Sequence, residues 1–352
     1  MTITIGGGPA CPVPIVATDR VQLGHGSGGK LSAALLKERF LPHLRNPVLE
    51  QLGDAAVLPL NGQEVAISTD TFVVSPVEFP GGNIGSLAVH GTLNDLAMVG
   101  ARPVCLTVGF VLEEGLDLAL LDRVLAAMAE AAGAAGVPVV AGDTKVVERG
   151  KADKLYINTT GMGTLHPSFR PGPDRARAGD AVLVSGPIGS HGTAIMAARE
   201  GIAFEAAIES DAATLLPLVE LLRASVGASV HVLRDPTRGG MASALNEIAA
   251  ASGVGVVLED GALPVPGPVA SVCDLLGLDV MYVANEGVLV AFVAAEAAET
   301  ALAALRSHPL GAQAAIAGAA VAEHPGMVVL RTGLGGTRIV DMLPGDQLPR
   351  IC

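Results

Sequence analysis

Tryptophan is absent from this chain and aromatic residues make up only 3% of it, although half of its residues are hydrophobic. Its apolar content therefore comes mainly from Ala, Val and Leu, which suits α/β layers better than a membrane protein. No apolar run continues over the roughly 20 residues that a membrane helix requires. The most apolar stretch, Val288 to Leu305, is broken by Glu296 and Glu299. Met1 to Val16 lacks a basic block followed by an apolar one, so the expectation is a cytoplasmic protein with no membrane attachment. Basic residues are few and dispersed, 22 Lys and Arg against 35 Asp and Glu, and the net charge of -13 argues against nucleic-acid binding. Four cysteines, Cys11, Cys105, Cys273 and Cys352, form no CxxC pair and stand at no zinc-finger spacing from histidine. Neither a disulfide framework nor a structural zinc site is indicated.

What is present is enough chain, 352 residues, for two domains with a core each. From Gly53 to Gly163, β-type runs such as 65–67 and 104–108 alternate with helical patterns at 84–99 and 117–135. The segment His166 to Gly179 concentrates Pro, Gly and Arg and marks a boundary. Beyond it the rhythm repeats, with strands at 181–185, 254–259 and 288–293 and helices near 189–200, 211–224, 238–252 and 295–306. The expected divisions are an N-terminal segment, 1–50, a first domain, 51–165, a second, 166–338, and a flexible tail, 339–352. The last residue is a thiol, Cys352, on a short proline-containing tail, which reads as presented rather than packed.

Several short segments could carry chemistry. Gly24 to Lys30 (GHGSGGK) precedes a helical pattern at 31–40 with Ser27 as a candidate N-cap. Its Gly28, Gly29 and Lys30 fit either a phosphate cradle or a flexible loop. Five aspartates stand at predicted element edges: Asp54 in LGDAAV, Asp70 before Thr71 in STDTF, Asp95 after Asn94 in LNDLAM, Asp143 in AGDTK and Asp235 in DPTRGG. Each alone reads as a cap or turn residue. All five together fit oxygen ligands for Mg²⁺ on a nucleotide phosphate. Arg238, Gly239 and Gly240 open a helix in a manner that suits an anion or an ordinary capped turn. Lys145 ends an apolar strand, where it is either desolvated, with its pKa lowered, or more commonly snorkelling or paired, and Glu286 stands just before another strand, where most glutamates are solvated turn residues.

HGSGGK at 25–30, GGNIGSLAVHGTLNDLAMVGARP at 81–103, AGDTKVV at 141–147, DPTRGG at 235–240, NEG at 285–287 and PRIC at 349–352 together resemble the HypE family of hydrogenase maturation factors. That family lies within the AIR synthetase (PurM-like) superfamily, and the resemblance covers nearly the whole chain. It implies a mixed α/β (α+β) two-domain fold whose first domain forms the core of a homodimer. It also implies that a HypF-like carbamoyltransferase loads a carboxamide onto Cys352, and that ATP with Mg²⁺ drives its dehydration to a thiocyanate. The cyanide would pass to iron held by a HypC–HypD scaffold, for a NiFe-hydrogenase. Carried over residue by residue, Cys352, Glu286 and Lys145 are catalytic. Gly28, Gly29, Lys30, Asp70, Thr71, Asn94, Asp95, Asp143, Asp235, Arg238, Gly239 and Gly240 bind the nucleotide, and Asp54, Asp70, Asp95, Asp143 and Asp235 hold the metal. The alternative is a PurM-like small-molecule kinase or synthetase in which the terminal cysteine is incidental.

Overall fold

The computed structural model describes residues 20–201, 208–343, 345, 348 and 350–352. The glycine-rich stretch at 6–8, Cys11 and the tail residues Pro344, Asp346, Gln347 and Pro349 lie outside the described residues. Among those described, no helix is long and apolar enough to cross a membrane.

After a 3-10 turn over Leu23–Gly26 come two short helices, α1 (Lys30–Leu35) and α2 (Leu41–Leu44), joined by a π-helical turn over Leu36–Phe40. The N-cap of α1 is Gly29, not Ser27, whose hydroxyl donates to Gly24 O at 2.8 Å instead. Seven strands follow: β1 (Ala56–Leu60), β2 (Gln63–Phe72), β3 (Glu78–Phe79), β4 (Gly82–Asn83), β5 (Ala101–Glu113), β6 (Val139–Val147) and β7 (Leu155–Leu165). Five of them form a mixed sheet in the order β1-β2-β7-β5-β6, parallel only between β5 and β6. Helices α3 (Ile84–Met98) and α4 (Leu118–Ala135) supply the apolar cover of one face. Helix α3 starts at Asn83, whose side-chain oxygen accepts from Gly85 N at 2.8 Å and satisfies an otherwise orphaned donor. Along β2, Ala66, Ser68 and Phe72 are buried while Thr69 and Thr71 are exposed, so period-two alternation puts Asp70 on the helix face and Thr71 on the open one.

The second half holds β8 (Ala181–Val184), α5 (Ser190–Glu200), α6 (Leu216–Ser225), β9 (Val230–Arg234), α7 (Gly240–Ser252), β10 (Gly255–Glu259), α8 (Gly267–Leu276), β11 (Val290–Val293), α9 (Ala298–Arg306), β12 (Ala315–Val321), β13 (Val328–Arg331) and β14 (Thr337–Ile339). Its seven strands run β14-β13-β10-β12-β8-β11-β9, with one parallel pair, β10 and β13. Strands β8 and β11 are wholly buried because both faces are covered, and their side chains alternate between two cores. Val182, Val184, Val290 and Phe292 pack with α7, whereas Ala181, Leu183, Ala291 and Val293 pack with α6 and α9. A one-residue slip would exchange these two sets, so the register is firmly specified. Ala97 and Met98 at the end of α3 join the second of these cores, with Phe169 from the connecting segment. The α3 helix thereby seats the two sheets against each other around the candidate site.

Candidate active site

Three carboxylates from separate elements meet. Asp54 precedes β1, Asp95 lies on α3, and Asp235 follows β9; one oxygen from each falls within 4.8 Å of the others. Burial comes first in pushing these carboxyls up, Asp54 to about 7, Asp235 to about 6 and Asp95 well above its ordinary range. Mutual repulsion and the charge of Asp70 add to it, while Arg234, 2.5 Å from Asp54 and 2.7 Å from Glu247, opposes the rise at Asp54 and Asp235. Ser68 donates to Asp95 Oδ2 at 2.6 Å and orients it. Three oxygen-only ligands, Asp235 buried and Asp54 and Asp95 partly so, whose ionisation is disfavoured with Arg234 as the cation against Asp54, fit a hard divalent cation such as Mg²⁺.

Glu286, in the loop before β11, lies within electrostatic reach of Asp235 of this cluster. Its N–H donates to Asp211 Oδ1 at 2.9 Å and its carbonyl accepts from Asn94 Nδ2 at 3.3 Å. Glu286 Oε1 is buried without a hydrogen-bond partner, and burial, followed by the charges of Asp235 and Asp211, raises the carboxyl well above its ordinary value. The neighbouring Asn285 ties this loop to the DPTRGG turn, donating to Pro236 O at 3.0 Å and accepting from Gly189 N at 2.6 Å. Asn94 departs from its expected role. It donates to Ala213 O and Glu286 O and accepts from Leu215 N, so it holds Glu286 in place rather than offering its amide to a nucleotide.

The chain's end reaches the same place. Cys352 O accepts from Val73 N at 3.0 Å, Arg350 O accepts from Ser75 N at 3.2 Å, and Ile351 is buried. Cys352 packs partly buried against the first domain's core, which corrects the expectation of a presented thiol. Burial pushes that thiol up to about 12 against the lowering influence of Arg238, while Glu286, Asp70 and Asp235 raise it further. The glycine-rich loop lies alongside. Gly28, at φ +77°, approaches Arg238 so closely that a Cβ there would stand 2.6 Å from the Arg238 carbonyl oxygen. Lys30 N donates to Leu343 O at 2.8 Å and Lys30 Nζ pairs with Asp341 at 2.5 Å, so this loop grips the root of the tail. Gly239 and Gly240 form the turn into α7, beside a cavity lined by Gly28, Arg234, Asp235, Thr237, Arg238 and Ser243. The Ser243 hydroxyl is buried there without a partner.

Three expected site residues lie elsewhere within one chain. Asp143 and Lys145 occupy β6, the sheet's edge strand, three strands from β2 and so about 14 Å away at the usual strand spacing. Asp143 pairs in register with Gly109 and thence Asn158 and Thr71, all on the open face, opposite Asp70. Thr71 Oγ1 accepts from Asn158 Nδ2 at 3.1 Å on that open face. Lys145 is not desolvated by apolar neighbours. It is exposed and bonded to Asp143 at 2.6 Å. Conversely, Asp211, His191, Arg234 and Ser68 serve the site without having been singled out. Asp211 reads as the start of a helix at 211, but α6 begins only at Leu216, and Asp211 turns inward instead.

Two stacked α/β domains with acidic groups gathered at their junction define a class. Residues 52–165 match the AIR synthase related protein N-terminal domain and residues 177–330 match its C-terminal domain. The carbamoyl dehydratase HypE of Azotobacter vinelandii is 52% identical over 332 residues, 94% of this chain and 97% of that one. A crystal structure of hydrogenase maturation protein HypE in complex with ATP is 51% identical, with a TM-score of 0.80 over 93% of this chain and 98% of that one. A HypE–HypF complex gives 44% identity and a TM-score of 0.84 over 88% and 100%. The chain belongs to the HypE family of carbamoyl dehydratases.

Proposed function

We propose that this protein is an ATP-dependent dehydratase acting on its own C-terminus, converting an S-carboxamide on Cys352 to a thiocyanate. The observation that carries this reading is the docking of Cys352, its carbonyl bonded to Val73 N at 3.0 Å, within electrostatic reach of Arg238, Glu286, Asp70 and Asp235, where a tethered substrate needs no encounter step. In the reaction, ATP phosphorylates the carboxamide oxygen, both N–H protons leave, and the C–O bond breaks to release phosphate and ADP. Glu286 is the residue to accept protons from nitrogen, because its Oε1 is buried with no hydrogen-bond partner and burial raises its affinity for a proton above that of an ordinary carboxylate. Arg238, Gly28, Gly29, Gly239 and Gly240 would receive phosphate through the guanidinium and backbone N–H groups. Asp54, Asp95 and Asp235, with Asp70 beside them, would hold Mg²⁺, which neutralises triphosphate charge when bound.

Asp143 and Lys145 enter this reading through a homodimer. Strand β6 is exposed along almost its whole length and presents Val139, Val140 and Val146 to solvent at 41%, 60% and 67% exposure. An apolar, unpaired edge calls for a partner, and a second copy would carry Lys145 and Asp143 toward the opposite protomer's site. Mixed dimers of Lys145→Ala and Cys352→Ala subunits would then regain activity that neither variant has alone. A HypF-like carbamoyltransferase loads the thiol in the cytoplasm, and a HypC–HypD-type iron scaffold takes the cyanide. Intact mass after incubation with carbamoyltransferase, carbamoyl phosphate and ATP tests the chemistry. A carboxamide gained on Cys352, then loss of one water on fresh Mg-ATP, is the expected result. Consumption of ATP with identical masses for wild type and Cys352→Ala would end the proposal.

A further inference from the structure

The tail is held by a set of contacts that the dehydration chemistry does not use. Besides the two backbone bonds to Val73 and Ser75, Arg350 Nε donates to Val73 O at 3.0 Å and Arg350 Nη1 pairs with Asp153 at 2.8 Å. The Arg350 guanidinium lies 6.0 Å over the Tyr156 ring. Arg199 caps the arrangement, donating to Ser75 O at 2.6 Å and to Arg350 O at 3.0 Å. His191 Nε2 is 2.8 Å from Ile351 O, and His191 Nδ1 is 2.8 Å from Ser210 Oγ. His191 is fully buried, edge-on to Phe79 with ring centroids 5.6 Å apart, and burial lowers it to about 4. A neutral ring with Nε2–H aimed at the carbonyl leaves Nδ1 to accept from Ser210, whose oxygen in turn accepts from Ala212 N at 3.1 Å.

We propose that Val73–Ser75, Asp153, His191 and Arg199 form a peptide-docking groove that reads the Arg350-Ile351 main chain and the Arg350 head, and so fixes the register in which Cys352 enters the site. Two backbone hydrogen bonds, from Val73 N to Cys352 O and from Ser75 N to Arg350 O, hold the peptide in a turn with Arg350 at φ +52°, and the Arg350 side chain supplies selectivity. The same groove is tied to Glu286 through a single strap. Ser210 orients His191, the next residue, Asp211, holds Glu286 N–H, and Ala213 and Leu215 are fastened by Asn94. His191 and Asp153 are positioning residues, because neither is placed against the reacting atoms. The inference rests on the dehydratase reading only for its purpose; the groove itself can be tested without turnover.

The test is site-resolved alkylation of Cys352 by iodoacetamide in the full-length protein, followed by peptide mass so that Cys11, Cys105 and Cys273 do not interfere. Docking protects the thiol, so the rate reports the undocked fraction. Asp153→Lys is expected to raise the rate about fivefold, the upper range for a partly exposed ion pair. Combining it with Arg350→Glu should bring the rate below the product of the two single effects, because the reversed pair can re-form. His191→Leu is expected to raise the rate about tenfold through loss of a buried hydrogen bond. His191→Gln, which keeps a donor at the Nε2 position, should stay near wild type. A wild-type Cys352 that reacts as fast as a cysteine in a free peptide, or rates that none of these changes moves, would overturn the proposal. Protection that follows the pattern in a protein making no thiocyanate would uphold the groove and remove the dehydratase reading alone.

Discussion

Asp211→Asn isolates the electrostatic strain built into the site. Asp211 is held from its ordinary 3.8 up to about 7, with burial as the largest cause and the hydrogen bond from Glu286 N–H opposing it. A carboxyl raised in the folded state contributes stability that is complete below its unfolded pKa and is lost as pH rises through the folded one. Above pH 7 the cost therefore amounts to about 4 kcal/mol, at 1.36 kcal/mol for each of roughly three pKa units. At pH 5, where only the unfolded chain has ionised, it is about 1.5 kcal/mol. Asparagine keeps the Oδ1 acceptor for Glu286 and cannot ionise, so it removes the pH-dependent part alone. Any constant offset from placing an amide N–H₂ where Oδ2 has no partner cancels between the two pH values. Thermal unfolding of both proteins without nucleotide or Mg²⁺ should show the variant gaining about 2–3 kcal/mol on wild type between pH 5 and pH 8. At roughly 1–2 °C per kcal/mol for a chain of this length, the Tm gap should widen by about 3–5 °C. A gap that is the same at both pH values would refute the claim that burial suppresses Asp211 ionisation.

Gly287→Ala should cost activity more than stability. The added Cβ would stand 1.8 Å from Asp211 O and 2.8 Å from its carbonyl carbon, and backbone cannot rotate away. Single-turnover thiocyanate formation should fall about 100-fold as Glu286 is displaced by an ångström, with about 1–3 kcal/mol lost in denaturant unfolding. Glu286→Gln should lower the same rate about 10²- to 10⁴-fold, as expected for a general base, while leaving ATP binding in calorimetry unchanged. Mg²⁺ titrated at pH 6.5 should release protons, because Asp54, pushed up to about 7, must ionise to bind it, and calorimetry in buffers of different ionisation enthalpy should detect them. Asp54→Asn should abolish that part of the release.

Much of the fold is written in periodicity. The strongly patterned α3, α4, α5, α7 and α9 lie within a few residues of where apolar spacing predicts them, and β8, β10 and β11 likewise. Strand β12 does not announce itself, because Ala315-Ile-Ala-Gly-Ala-Ala-Val321 is made largely of helix-favouring alanines and becomes a strand only through its neighbours β8 and β10. Asp54, Asp95 and Asp235 were legible as edge-of-element carboxylates, but that Thr71 and Asp70 face opposite ways, and that Asp143 stands three strands off, depends on long-range pairing. His191 carried no local sign at all. It sits in an ordinary helix-forming segment, and its role arises from the arrival of Ile351, 160 residues later.

The docked thiol imposes an order on the chemistry. A cysteine attacks as its thiolate, and with its pKa pushed up to about 12 Cys352 holds almost none near neutral pH while it lies in the groove. Loading therefore belongs to the undocked tail, where no burial suppresses ionisation. Once acylated, the sulfur carries no titratable proton, so the penalty that burial places on a thiolate no longer applies to docking. The buried, partly apolar pocket that disfavours the nucleophile thus suits the neutral carboxamide, whose protons would, in the proposed reaction, pass to Glu286. Alkylation of Cys352 should accelerate on truncating the groove contacts but not appreciably on Glu286→Gln, because the first change frees the tail and the second leaves every groove contact in place. Equal acceleration by both would mean that Glu286 itself anchors the tail, and the separation between docking and proton transfer would fall.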